Sequence, residues 1–159
     1  MPRLRDVLPA IGILPAGSHN AITDVPGVRI GHATVTGGSL RTGVTAVLPG
    51  TDEPYRHKVT AAAAVLNGYG KSIGLMQIEE LGTLETPILL TSTLNVPRVA
   101  DAVLTYMMEG TPSIGVTDTV NPVVLEEGEE LFDFATARYS ISAEHGKCLL
   151  HLWSEERNT

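Results

Sequence analysis

Apolar and polar residues alternate along Val28-Arg29-Ile30-Gly31-His32-Ala33-Thr34-Val35 with a period near two, after the turn residues Asp24-Val25-Pro26-Gly27. This pattern predicts a strand. Gly37-Gly38 then turns the chain, and Gly43-Val44-Thr45-Ala46-Val47-Leu48, closed by Pro49-Gly50, predicts a second strand beside the first. Thr60-Ala61-Ala62-Ala63-Ala64-Val65-Leu66 is apolar on every side, so periodicity does not choose between buried strand and helix. Pro87 to Thr93 reads as a buried strand. A helix is expected from Asn95-Val96-Pro97, with Asn95 suited to the N-cap and Pro97 to the first turn, where its missing N–H costs nothing. Val99, Ala102, Val103, Tyr106 and Met107 give it an apolar stripe, Asp101 sets a negative charge toward its positive end, and Gly110 with Pro112 stops it. Ile114-Gly115-Val116 is a candidate strand, and Ala143 to Trp153 a candidate helix. The pattern gives an α/β or β-rich domain, without internal repeats.

Composition narrows the function classes. The 159 residues make one domain with 43% apolar and 18% charged side chains, enough to bury a core. Eleven basic and eighteen acidic residues leave a net charge of −7, the wrong sign for a nucleic-acid or anionic-membrane surface. The acid gathers in the second half. The single cysteine, Cys148, excludes an internal disulfide framework, and no apolar run is long enough to cross a bilayer. Residues 1–15 imitate a leader, but Asp6, Pro9, Gly12 and Pro15 interrupt it, and a cytoplasmic location is expected.

Several motifs fail on spacing. Gly70-Lys71-Ser72 imitates the tail of a phosphate-binding loop, which requires Gly where Val65 stands. His145, Cys148 and His151 lack the converging third and fourth ligands of a zinc site, and a packed amphipathic segment explains them. Glu126 to Asp133 holds five acids without the spacing of a calcium loop, so it reads as a solvated acidic loop. More promising is Asn67-Gly68-Tyr69-Gly70 together with Glu79, Glu80 and Glu85. Three carboxylates flanking a glycine turn and a buried strand suit a cationic ligand such as a free amino group, although surface charges in a loop explain them as well.

At these residues the chain resembles the first half of the P1 peptidase family, the L-aminopeptidase/D-esterase group that includes the β-peptidyl aminopeptidases. The resemblance runs from Arg3-Leu4-Arg5-Asp6 through the block Asn20 to His32, then Arg41-Thr42-Gly43-Val44-Thr45 and Leu66-Asn67-Gly68-Tyr69-Gly70. It continues through Glu80 to Leu94 and Val120-Asn121-Pro122-Val123-Val124. Residues 1–125 carry the match, and 126–159 form a divergent acidic segment of a single, incomplete domain.

The resemblance implies part of a four-layer αββα sandwich, in homo-oligomers, with no metal or organic cofactor. It implies an enzyme that cuts itself once and uses the freed Ser or Thr as nucleophile on amides, esters or short peptides with a free amino end. That nucleophile belongs to a second chain, the partner expected here, so no catalytic residue falls within this sequence. Glu80 and Glu85 are the candidates for the substrate's ammonium group, and Asn67 and Tyr69 for the pocket mouth. Departures stand at Thr91-Ser92-Thr93, where the family has Thr-Asn-Thr, at Pro97 in place of Gly, and after Val124, where the family has Glu-x-Asn-Asp. A non-catalytic scaffold, and an amidase or acyltransferase on the same fold, remain open alternatives.

Overall fold

The computed structural model describes residues 13–37, 40–65, 68–126, 137–144 and 147–154. Its centre is a mixed five-stranded sheet. β1 (Val28–Gly37) and β2 (Leu40–Pro49) form the expected antiparallel pair, with Val28 opposite Pro49 and Gly37 opposite Leu40. Upstream, the Asp24 carboxylate accepts hydrogen bonds from the Ser18 hydroxyl (3.0 Å) and from the N–H groups of His19 (3.0 Å) and Ala21 (3.1 Å). The backbone donors, Ala21 first, hold this carboxyl below its usual range and order the turn that feeds β1.

β3 (Val59–Thr60) leaves the sheet and pairs with β5 (Thr83–Leu84) in a small ribbon. The ambiguous alanine run thus resolves into a short strand followed by irregular chain, in which Ala61 N–H donates to the Gly82 carbonyl. β4 (Ser72–Ile73) lies on the sheet's far edge, and α1 (Leu75–Leu81) follows it. Gly74, between them, has φ +89°, and a Cβ there would stand 2.4 Å from the Pro122 carbonyl oxygen, so only glycine fits. β6 (Ile88–Thr91) pairs antiparallel with β2 and parallel with β7 (Val123–Glu126), which gives the order β1-β2-β6-β7-β4.

Parallel neighbours require a crossover, and α2 (Val96–Gly110) supplies it. Val99, Ala102, Val103 and Met107 of the expected stripe are buried, and they pack with Val44, Ala46, Leu89 and Val124 from one sheet face. Asn95 precedes the helix but spends its side-chain amide on the Ser92 hydroxyl (2.8 Å) instead of capping. Asp101 lies beyond the first turn. On the opposite sheet face Ile78 of α1, Leu84 and Val123 form a second cluster with Ile88. The alternation of strand residues puts Val47, Leu90 and Leu125 on this same face, where they stay half-buried. A mixed sheet with helices on it is an α+β architecture.

Two expectations are corrected. Ile114-Gly115-Val116 is a turn and not a strand: Ile114 N–H bonds to Thr111 O, Val116 N–H bonds to Ser113 O, and only one isolated bridge joins Ile114 to Asp118. Ala143 to Trp153 is not a helix. It contributes to β8 (Ala137–Glu144) and β9 (Lys147–Ser154), an antiparallel pair with Ala137 opposite Ser154. Pairing between adjacent strands, with Glu144 opposite Lys147, decided the state of this segment.

Leu89 is fully buried between α2 and the sheet. Leu89→Ala is expected to lower unfolding free energy by about 2–5 kcal/mol. Met108→Ala, on the exposed side of α2, should change it by no more than about 0.5 kcal/mol. Urea unfolding of both variants checks this.

Candidate functional site

Because β6 and β7 run parallel, their carboxyl ends finish side by side, with Thr91 opposite Glu126. In open α/β sheets, ligand sites form outside these strand ends. Here three segments meet: the turn Ser92 to Asn95 leading into α2, the last residue of β7, and the glycine loop Gly68 to Lys71 before β4.

Glu126 is their common point. The Thr93 hydroxyl donates to its Oε1 (2.6 Å) and the Lys71 backbone N–H to its Oε2 (2.5 Å). Gly70 is so near that a Cβ there would stand 3.5 Å from Oε2. The Thr93 bond first, then the Lys71 N–H, hold the Glu126 carboxyl below the usual range, and the Lys71 charge adds to this. The Lys71 ammonium lies 5.1 Å from the centroid of the Tyr69 ring, within reach of a cation–π contact. The result is a half-buried, ionised carboxylate at the sheet's carboxyl edge, with a basic group and an aromatic ring beside it. Chemically, that arrangement offers a cation a charged acceptor.

The residues singled out from sequence fall in different places. Tyr69 lies in the loop that bonds Glu126 and is exposed. Asn67 lies outside the described residues. Glu80 is exposed on α1, and among the described residues nothing bonds it to Glu85, Tyr69 or Glu126. Glu85 is buried, 5% exposed, and already engaged: it accepts from the backbone N–H (2.8 Å) and side-chain amide (3.2 Å) of Asn121, and Lys58 Nζ lies 3.5 Å from its other oxygen. Lys58 in turn sits 4.2 Å over the Tyr55 ring and donates to the Tyr55 carbonyl (2.7 Å). Burial first, then the charges of Asp118 and Glu85, push the Tyr55 phenol up. Next to Glu85, the Thr86 hydroxyl accepts from the Val123 N–H (3.2 Å). Both side chains therefore grip the segment that begins β7.

Glu126, Thr93 and Lys71 are not among the residues sequence reasoning chose. Glu126 reads as the first member of a solvated acidic loop; it is instead a half-buried strand residue, and residues 127–133 of that run lie outside the described residues. Lys71 had a signal in Gly70-Lys71-Ser72, attached to the wrong chemistry. Among the described residues no three His, Cys, Asp or Glu side chains group to hold a metal ion, and no helix is long and apolar enough to cross a membrane.

The family model described as peptidase family S58 matches residues 20–145. The beta-peptidyl aminopeptidase BapA of Sphingosinicella xenopeptidilytica is 36% identical over 135 residues, which is 79% of this chain and 33% of that protein. The solved beta-aminopeptidase of Burkholderia sp. matches with TM-score 0.70 and 40% identity over 79% of this chain and 36% of that one. The L-aminopeptidase D-Ala-esterase/amidase of Ochrobactrum anthropi matches with TM-score 0.66 and 32% identity over 79% of this chain and 38% of its own, and is described as a variant of the Ntn hydrolase fold. The chain spans about a third of the length of each of these relatives.

Two outcomes follow. Thr93→Val removes the bond that most favours ionised Glu126, so the Glu126 carboxyl should titrate at higher pH, read by carboxyl-carbon NMR. Its folded value lies below the unfolded one, so the stability it contributes is complete above the ordinary carboxylate range and fades as pH falls through the lowered value. Glu85→Ala leaves the Asn121 donors unmet and should cost about 1–3 kcal/mol of stability, whereas Glu80→Ala should change it by about 0.5 kcal/mol or less by chemical denaturation.

Proposed function

Because the chain belongs to peptidase family S58, we propose that it is one part of an aminopeptidase that hydrolyses amides, esters or short peptides carrying a free amino end. The observation that carries this reading is the half-buried ionised Glu126 carboxylate, anchored by Thr93 and Lys71 at the carboxyl edge of the sheet. A substrate ammonium group brought there replaces solvent on an acceptor that is already charged and oriented, so little reorganisation is needed. Tyr69 and Asn67, on either side of Gly68, form the mouth of this pocket in the proposal, and exposed Glu80 contributes to its outer rim. Glu85 acts from behind, by fixing where β7 begins.

The reacting hydroxyl, a Ser or Thr freed by self-cleavage and served by its own amino group as base, comes in this proposal from polypeptide outside the present sequence. That polypeptide would add the second sheet of a four-layer αββα sandwich. Half-buried Val47, Leu90 and Leu125, on the sheet face that α1 covers only in part, support such a cover. Assembly into homo-oligomers and a cytoplasmic location complete the proposal.

The test is hydrolysis of amino-acid p-nitroanilides, D-Ala and β-Ala included, by the chain alone and after co-expression with the second portion of a family member. Activity only in the co-expressed form is expected. Glu126→Gln in that form should raise KM for free-amine substrates about tenfold, the loss of one charge-assisted contact, with a smaller change in kcat. An unchanged KM removes Glu126 from the ammonium site. A folded, co-purifying pair that hydrolyses none of the panel overturns the aminopeptidase reading in favour of a non-catalytic scaffold.

A further inference from the structure

The anchoring of Glu126 uses the backbone N–H of Lys71 (2.5 Å from Oε2) and not its side chain. The fold nevertheless fixes where that side chain stands. β4 begins at the next residue, with Ser72 opposite Leu125 and Ile73 opposite Val124. Continued by one residue, this register sets Lys71 opposite Glu126. Directly opposite residues of an antiparallel pair lie side by side on one face. At the far end of the stem, the ammonium lies 5.1 Å from the centroid of the Tyr69 ring, and this contact keeps Nζ near the loop. The Lys71 charge is felt by Glu126. Among the described residues, however, no carboxylate forms an ion pair with Lys71.

The edge of the sheet thus carries two opposite charges side by side, a carboxylate held by the chain and an exposed ammonium next to it. Such a pair is complemented by a ligand that carries the same two charges in reverse order. An aspartyl or glutamyl residue with a free amino group is a ligand of this kind, because its side-chain carboxylate is only a few bonds from its ammonium nitrogen. With the ammonium on Glu126, the carboxylate comes within reach of Lys71, and both charges are met at once. A neutral first residue meets only Glu126, and a lysyl or arginyl one is repelled. Because Lys71 is exposed, the gain is modest and screened by salt, which makes it a matter of selectivity more than of affinity.

We infer that Lys71 is a specificity-determining residue, which makes this site prefer substrates whose first residue is acidic. The inference rests on the assignment of the substrate ammonium group to Glu126, and it names the class of first residue that this assignment leaves open. Glu126 takes the ammonium group, Lys71 takes the side-chain carboxylate, and the Tyr69 ring keeps the lysine charge at the mouth of the site.

The experiment uses the isotopically labelled 159-residue chain and follows the Glu126 carboxyl carbon and the Lys71 Cε–H signals by NMR during titration. The probes are alanine amide, asparagine amide and aspartic acid α-amide at about pH 6, where the amino groups are protonated and the aspartyl carboxyl is ionised. Saturable shifts at Glu126 are expected with each probe, and aspartic acid α-amide should bind about two- to fivefold more tightly than asparagine amide, as an exposed charge pair allows. Aspartic acid α-amide alone should also shift the Lys71 signals, and its advantage should fade as salt rises. Lys71→Met keeps the backbone N–H on Glu126 and should abolish the advantage, whereas Lys71→Arg should preserve it. Backbone amide spectra report that each variant is folded. Equal affinity for the aspartyl and asparaginyl probes, or an advantage that survives in folded Lys71→Met, overturns the role of Lys71 and leaves the ammonium assignment standing. No saturable shift at Glu126 with any probe overturns that assignment, and the preference for acidic first residues with it.

Discussion

The parallel pairing of β6 with β7 is the contact on which the remainder of the structure depends. Parallel strands cannot be joined by a tight turn, so this pair needs the α2 crossover, and α2 in turn supplies half of the described buried residues of the larger core. The register of the pair is prepared before the strands meet. Glu85 takes the Asn121 N–H and Thr86 takes the Val123 N–H, so side chains ahead of β6 hold the backbone that starts β7. A slip of one residue would exchange the two faces of β7 and turn Val124 out of the helix-covered core. It would also carry Glu126 away from Thr93. One register thus decides core and site together.

Charge is distributed across this frame in two opposite ways. At the carboxyl ends of β6 and β7, a carboxylate is kept ionised by a hydroxyl and a backbone N–H, which suits a cation. A second charged group, Glu85 with Lys58 and Asn121, is turned inward and satisfied by its neighbours. The two carboxylates differ in which partners the chain brings to them, and composition does not distinguish the cases.

Local pattern was a good guide where one face of an element is buried by its immediate surroundings. β1 and β2 were legible from alternation and from the glycine turn between them. β6 was legible from its branched run, and α2 from its stripe, its proline and its terminal glycine. Pattern was a poor guide where strand pairing or a packed partner, and not residue spacing, sets the outcome. Residues 143–153 suited a helix by spacing but belong to two paired strands, and Ile114 to Val116 had strand-like residues but no neighbouring strand to pair with. Glu85 was noticed as a carboxylate beside a strand, and its burial against Asn121, 36 residues away, was not visible.

By itself, the sequence determined the fold class and the family, because these rest on short-range periodicity and on ordered blocks read along the chain. Only the tertiary structure decided which carboxylate is enclosed and which stands at the sheet edge. Glu85 and Glu126 are both acids at the ends of apolar strands, and nothing in their own residues separates them. The difference lies in what is packed around each: amide donors and a lysine enclose the first, while a hydroxyl and one loop N–H hold the second at an edge. Those partners come from 27 to 55 residues away, and a charge in a protein is set by its neighbours in space.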